Sequence, residues 1–160
     1  MKAYDPPPED AKEINEFTWR DGQRWIHGVP SNFYIEPDGT SVEMEFQAAK
    51  TKNPFEKKYI FSSPTPGVAK QRGKEVTLLK NWDGIKVKVM EGLVRQKFND
   101  HPELAAWLLA TGEAILREDN TWHDQYWGNC TCYERKHFYR IGENHLGKIL
   151  MKIRKELNAA

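Results

Sequence analysis

The sequence predicts a predominantly helical α+β domain with a small β-sheet, and three observations predict it. Apolar residues recur at helical spacing in several segments after residue 40, the first third is aromatic but aperiodic, and turn residues punctuate that first third densely. A chain of 160 residues with 39% apolar and 29% charged side chains has the composition of an ordinary soluble domain.

Residues 1–12 include Pro6-Pro7-Pro8 with flanking acids and read as a flexible polar tail, leaving 13–160 as one domain. From Phe17 to Asp38, Gly22, Gly28, Pro30 and Pro37-Asp38-Gly39 break the chain into short strands and loops. A helix is expected from Thr40 to about Thr51, opened by a capping box of Thr40 and Glu43, with Val42, Phe46 and Ala49 as its buried stripe. Glu43, Gln47 and Lys50 repeat that spacing one step round, so a carboxylate, an amide and an amine share one face.

The breakers from Ser62 to Gly67 end in an N-cap with proline at the first helical position, and that helix carries Lys70, Arg72 and Lys74. A longer helix follows Asn81-Trp82-Asp83 with Ile85, Val89, Leu93 and Phe98 as its stripe and Met90 and Val94 widening it. Pro102 opens another, Glu103 to about Ala110, which Gly112 stops, and Ala114 to Leu116 suits a strand. Between Arg117 and Asn144 periodicity disappears in a polar, aromatic stretch too long for a plain connector. The last helix is expected from His145 to Leu157, with Leu146, Ile149, Leu150, Ile153 and Leu157 on one face.

Composition also bounds function. With 24 basic against 23 acidic residues the formal charge is +1, which gives a broad polyanion-coating role no support. No apolar run approaches the ~18 residues of a membrane helix, and the first ten residues lack a signal-peptide layout, so a cytoplasmic protein without membrane contact is expected. The surplus is aromatic: six Trp, six Tyr and seven Phe, more than so small a core needs. Trp107 reads as core and Trp25 as a flank of a pocket.

Each candidate site residue has a plain structural alternative. Glu43 is accounted for by the capping box, or it belongs with Gln47 and Lys50 to a surface that recognises sugar or phosphate. Lys50 is a solvated lysine, a phosphate ligand, or an amine that attacks a ribose carbonyl carbon. The run from Thr121 to Gly128 is a loop in which Asp124 caps a turn, or a nucleoside site in which the acid holds ribose hydroxyls while a ring stacks on the base. Cys130 and Cys132, with His123, His137 and His145 near in sequence, fit none of the usual structural zinc spacings, so no metal and no cofactor is expected.

Eight ordered blocks carry a resemblance. They are Ser31-Asn32-Phe33-Tyr34; Ser41-Val42-Glu43 leading into Phe46-Gln47-Ala48-Ala49-Lys50; Ser63-Pro64; Trp82 with Lys86 and Val89-Met90; and Lys97-Phe98. Leu108 to Gly112, Asp124 with Trp127-Gly128, and Gly142, Asn144 and Leu146-Gly147 with Met151 and Arg154 complete the set. Together these resemble the YbiA-like, or NADAR, family of N-glycosidases over about Asn32 to Leu157. The chain departs from the family at Met44, where histidine is frequent, from Asn129 to Ile141, and before Ser31.

The resemblance implies the YbiA-like fold and hydrolysis of an N-glycosidic bond between a phosphoribosyl or ADP-ribosyl group and a base or aminopyrimidine. Riboflavin-pathway intermediates and ADP-ribosylated guanine are the substrate classes it suggests. It assigns catalysis to Glu43, Asp124 and Lys50, and substrate binding to Asn32, Phe33, Gln47, Trp82, Trp127, Gly128 and Asn144. The implied partners are a small ribosyl-phosphate or ADP-ribosyl substrate and, on one reading, ADP-ribosylated nucleic acid, with no obligate protein partner. For nucleic acid, Lys70, Arg72, Lys74, Arg135, Lys136 and Arg140 are the cations that could form a local track. The competing reading from another class is a non-catalytic module that binds ADP-ribose or NAD.

Overall fold

A computed structural model describes residues 2–133 and 140–160. Its architecture is α+β and mainly helical, as expected, and among the described residues the strands form three separate two-stranded pairs. The chain divides into two compact units, Met1–Ser31 with Pro102–Ala160, and Asn32–His101. Among the described residues, no helix is long and apolar enough to cross a membrane.

In the first unit, β1 (Glu13–Ile14) pairs in parallel with β4 (Ile115–Leu116), Ile14 opposite Leu116. β2 (Thr18–Asp21) and β3 (Arg24–His27) form an antiparallel hairpin. Its two-residue loop needs a left-handed residue, and Gly22 supplies it at φ 58°. β5 (Asp119–Asn120) runs parallel to β6 (Asn129–Cys130). Two helices, α5 (Pro102–Ala110) and α6 (His145–Ala159), pack together and α6 also covers β4. Of the stripe that periodicity places on α6, Leu146, Ile149, Leu150 and Ile153 are buried and Leu157 is half-buried, and Leu104 and Leu108 of α5 are buried too. Arg154, buried on α6, donates to Thr111 Oγ1 (2.7 Å) and the Ala114 carbonyl (2.9 Å), which anchors the turn after α5. Trp107 is half-buried rather than core, and its Nε1 donates to the Asp5 carbonyl at 2.8 Å. The Tyr4 hydroxyl likewise donates to the Glu103 carbonyl.

The second unit holds α1 (Val42–Ala48), α2 (Pro54–Phe61), α3 (Pro66–Arg72) and α4 (Trp82–Asp100), with α1 packed on all three others. Met44, Ala48, Ile60 and Ala69 form its core cluster. Periodicity does not announce α2, because Ile60 is its only buried residue while Phe55, Tyr59 and Phe61 face solvent. What starts it is local chemistry: Asn53 Oδ1 accepts from the Phe55 and Glu56 amides, and Pro54 needs no hydrogen bond at the first helical position. Glu56 then reaches the amide and hydroxyl of Thr77 and the hydroxyl of Thr51, tying the helix to the chain that precedes α4. In α4 the buried face is Trp82, Met90, Val94, Lys97 and Phe98, whereas Ile85, Val89 and Leu93 are half-buried, so the stripe is rotated from the expected one.

Candidate functional site

The start of α1 differs from expectation by one residue. Ser41, not Thr40, is the N-cap, its Oγ accepting from the Met44 amide at 3.2 Å, while Thr40 bonds to Asp38. Glu43 is therefore the second helical residue, and the capping box does not account for it. It is 5% exposed, so a carboxylate lies buried in the first turn of a helix, where the helix dipole favours its charge.

Gln47 sits one turn on, 3% exposed, and its Nε2 donates to Glu43 Oε1 at 2.6 Å. The other amide atom, Oε1, is buried without a hydrogen-bond partner among the described residues. It is pressed against Gly73, the residue that closes α3. A Cβ on Gly73 would lie 2.7 Å from Gln47 Cδ and closer still to Oε1, so glycine forms the socket for this side chain. An unsatisfied buried acceptor costs about 1–3 kcal/mol. Such a cost is characteristic of functional positions.

Lys50 is half-buried, and burial pulls its pKa below the ordinary lysine value against the opposing effect of Glu43. Lys70, Lys74 and Lys86 push in the same direction as burial, so Lys70 of α3, Lys86 of α4 and Lys74 just after α3 act with the Glu43 carboxylate on Lys50, which follows α1. Lys70 also stands over the Phe33 ring, 5.7 Å from its centroid. Asn32 is buried beside this group, its carbonyl accepting from the Glu43 amide (3.0 Å) and its Nδ2 donating to Met90 Sδ (3.4 Å). Six residues expected at the site, Asn32, Phe33, Glu43, Gln47, Lys50 and Trp82, belong to the second unit. Lys70, Lys74 and Lys86 join them. Sequence reading places Lys70 and Lys74 in a local basic track and Lys86 in the block with Trp82.

Other assignments are corrected by the geometry. Trp82 is 5% exposed with its ring 5.0 Å from that of Phe46, which makes it packing rather than an open stacking face. Arg72 donates to the Tyr59 carbonyl, Ser62 Oγ and Ser63 Oγ and lies over the Tyr59 ring, so it fastens α3 to α2 and is no free cation of a track. Arg135 and Lys136 of that track, and His137, lie outside the described residues.

In the first unit Asp124 follows the plainer reading. Its Oδ1 accepts from the Tyr126 and Trp127 amides at 3.0 and 2.9 Å, an Asx turn that sets the loop. Asn120, buried, grips the same residue from both sides, accepting from its amide and donating to its carbonyl. Trp127 is half-buried and edge-on to Tyr126. Gly128 is glycine because a Cβ would strike the Glu118 carbonyl and come within 2.9 Å of Asn120 Nδ2, so the close approach is to its own chain. Asn144 takes φ 51°, donates from Nδ2 to the Leu116 carbonyl (3.0 Å) and accepts at Oδ1 from the Glu118 amide (3.2 Å). Both its polar side-chain atoms serve the fold. A groove of about 430 Å³ lined by Thr51, Asn53, Thr77, Leu79 and Asn81, among others, contains no residue assigned to the site from sequence.

Known proteins supply a frame for this geometry. The profile of the NADAR domain family matches residues 20–158. The chain is 38% identical over 139 residues to the N-glycosidase YbiA of Escherichia coli, covering 82% of each protein. It is 35% identical over 122 residues to an N-glycosidase of Nostoc punctiforme, covering 73% of each. A riboflavin biosynthesis protein of Vibrio vulnificus is 33% identical over 139 residues, which are 82% of this chain and 36% of that one. The NMR structure of E. coli YbiA superposes with a TM-score of 0.69 at 31% identity, covering 99% of this chain and 92% of that one.

Proposed function

This chain belongs to the NADAR domain family and is a hydrolase of the N-glycosidase type, and from that premise we propose that it cleaves a ribosyl phosphate from a nitrogenous base or aminopyrimidine. The observation that carries the proposal is a buried carboxylate, Glu43, past the N-cap of its helix, held by Gln47 and acting on the half-buried amine of Lys50, on which Lys70, Lys74 and Lys86 also act. Cleaving the bond moves positive charge onto C1 and the ring oxygen of the ribose, and a fixed carboxylate stabilises that charge more than it stabilises the ground state. Glu43 fills this role and takes a proton from the attacking water. The C1–N bond breaks, a C1–O bond forms, and the nitrogen leaves carrying a proton, so one water is consumed.

The lysines fit the other half of the substrate. Ammonium groups bind phosphate as point charges, and Lys50 with Lys70 and Lys74 acting on it favours a phosphorylated sugar over a plain nucleoside, Lys86 being paired with Asp83 at 3.0 Å. Gln47 is the polar side chain bonded to the carboxylate, Asn32 joins the Glu43 backbone through its carbonyl, and Phe33 is the ring beside Lys70. In the first unit Asp124 positions its own loop through the Tyr126 and Trp127 amides. A relative named as a riboflavin biosynthesis protein supports ribosylaminopyrimidine phosphates as the first substrates to try, with ADP-ribosylated guanosine second.

The deciding experiment incubates the protein with a panel of riboflavin intermediates, NAD and ADP-ribosylated guanosine and detects released base by mass. Glu43→Gln keeps the side-chain shape and is expected to lower kcat by about 10²–10⁴ with KM little changed. Unchanged turnover would remove Glu43 from the chemistry. Tight ADP-ribose binding with no base released from any compound would replace hydrolysis by a binding role.

A further inference from the structure

We propose that His123, Cys130 and Cys132 form a binding site for a thiophilic divalent cation of the zinc class, contrary to what their spacing in the sequence suggests. Cys-x-Cys with a histidine seven positions upstream matches no usual zinc pattern, but the fold closes the distance. β5 and β6 run side by side, so the loop between them returns on itself, and His123, at φ 70°, turns its ring toward the two sulfurs. Its Nδ1 lies 3.3 Å from Cys132 Sγ and 3.9 Å from Cys130 Sγ, and the three ligand atoms lie within 4.8 Å of one another.

The separations from the imidazole nitrogen to the two sulfurs are those a metal demands. Zn–S of about 2.3 Å and Zn–N of about 2.0 Å at tetrahedral angles put adjacent S and N atoms about 3.5 Å apart and two sulfurs about 3.8 Å apart. The two S···N distances bracket that value. Two thiolates and an imidazole are the donor set that zinc prefers over calcium or magnesium, and three protein ligands leave a fourth position for water.

The supporting contacts hold the three ligands before any ion arrives. Cys130 is buried, and its amide donates to Gln125 Oε1 at 2.8 Å. Asn120 holds Asp124 on one side of the site and, through its carbonyl, the Thr131 amide at 2.7 Å on the other. His123 is a residue with a side chain in a left-handed conformation, which costs of order 1 kcal/mol and here serves to aim the ring. A cation bound there would release thiol protons and clip the loop that carries Trp127.

The test uses untagged, reduced protein stripped of metal by chelator and then titrated with Zn²⁺ or Co²⁺. The expected result is one ion per chain, a thiolate-to-cobalt charge-transfer band with tetrahedral d–d bands, and a thermal midpoint several degrees higher with Zn²⁺. Cys132→Ser and His123→Gln, both away from the buried core, are each expected to weaken Zn²⁺ binding by at least about tenfold and to abolish the cobalt spectrum. Absence of stoichiometric uptake by the reduced protein would overturn the site. So would uptake that both variants leave unchanged. Because these readouts are metal content, spectrum and stability, they succeed or fail independently of the glycosidase assay.

Discussion

Gly73→Ala isolates the device that holds the candidate acid. The glycine has ordinary helical angles, φ −63° and ψ −13°, so alanine imposes no backbone strain. It adds one methyl group, and that methyl would lie 2.7 Å from Gln47 Cδ and 3.1 Å from Gln47 Cβ, against the ~3.5–4.0 Å of relaxed carbon contacts. Gln47 has to swing away, which breaks its 2.6 Å hydrogen bond to Glu43. Losing a hydrogen bond to a charged group costs about 1.5–3 kcal/mol and crowding a packed interior about 1–3 kcal/mol, while alanine at a backbone conformation it can adopt, as at this C-cap, regains about 0.4–1 kcal/mol over glycine. The movement that breaks the bond also relieves the crowding, so the net destabilisation expected is about 2–3 kcal/mol. Urea unfolding measures it. The second leg is Gln47→Ala, in whose background the methyl loses its clash with Cδ and Oε1 and meets only the retained Cβ at 3.1 Å, so adding Gly73→Ala is expected to cost less than about 1 kcal/mol. In turnover, both single variants leave Glu43 unsupported and lower kcat. Equal costs for Gly73→Ala in the two backgrounds would refute the socket.

Three further predictions follow from single side chains. Lys97 is 3% exposed, over the rings of Tyr34 and Phe98, and burial pulls its pKa to about 7 against the counter-effect of Glu36; the ordinary value is 10.5. Between those pH values the unfolded chain binds the proton and the folded chain does not, so this lysine makes stability rise with pH, by at most about 1.4 kcal/mol per unit. Lys97→Met is expected to flatten the rise in urea unfolding curves between pH 7 and 10, and identical slopes in both proteins would refute it. Asn144→Ala removes two hydrogen bonds at a left-handed residue and is expected to cost about 2–4 kcal/mol, of which Asn144→Gly recovers the backbone part; a raised KM with unchanged thermal midpoint would show a ligand residue instead. Lys50→Met is expected to raise KM for a phosphorylated substrate at least about tenfold without affecting its dephosphorylated analogue. A borohydride-trapped adduct on Lys50 would replace phosphate binding by covalent chemistry.

The sequence was informative where a short-range physical rule acts alone. Proline at the first turn of α3 after Thr65, the break at Gly112 with φ 55°, and the apolar face of α6 are each determined within a few residues and stand where such rules put them. Periodicity failed for α2 because that helix buries one residue and leaves its aromatics exposed, so no stripe exists to find. It also misplaced the face of α4, since Lys97 is among the buried residues and a charged side chain counts against burial in any hydropathy pattern. The offset at α1 came from two adjacent hydroxyl residues, Thr40 and Ser41. Either can cap, and the choice turned on Asp38, which bonds Thr40 and leaves Ser41 to the helix.

Residue type could not separate the members of the site from the members of the fold, because the same polar groups do both kinds of work. Asp124 and Asn144 have the chemistry of ribose ligands, yet the contacts of Asp124 Oδ1 and of both Asn144 polar atoms go to their own backbone. Glu43 and Gln47 look like an ordinary surface pair four residues apart on a helix. They are instead buried against each other with one amide oxygen unsatisfied, an arrangement that stability alone does not favour. The sorting variable is thus where each hydrogen-bonding atom is spent, and it depends on partners far away in sequence: Gly73 for Gln47, Leu116 for Asn144. The same reasoning reverses the case of the cysteines. Their spacing rejects a metal only if ligands must be close along the chain, whereas the return from β5 to β6 brings His123 to both sulfurs.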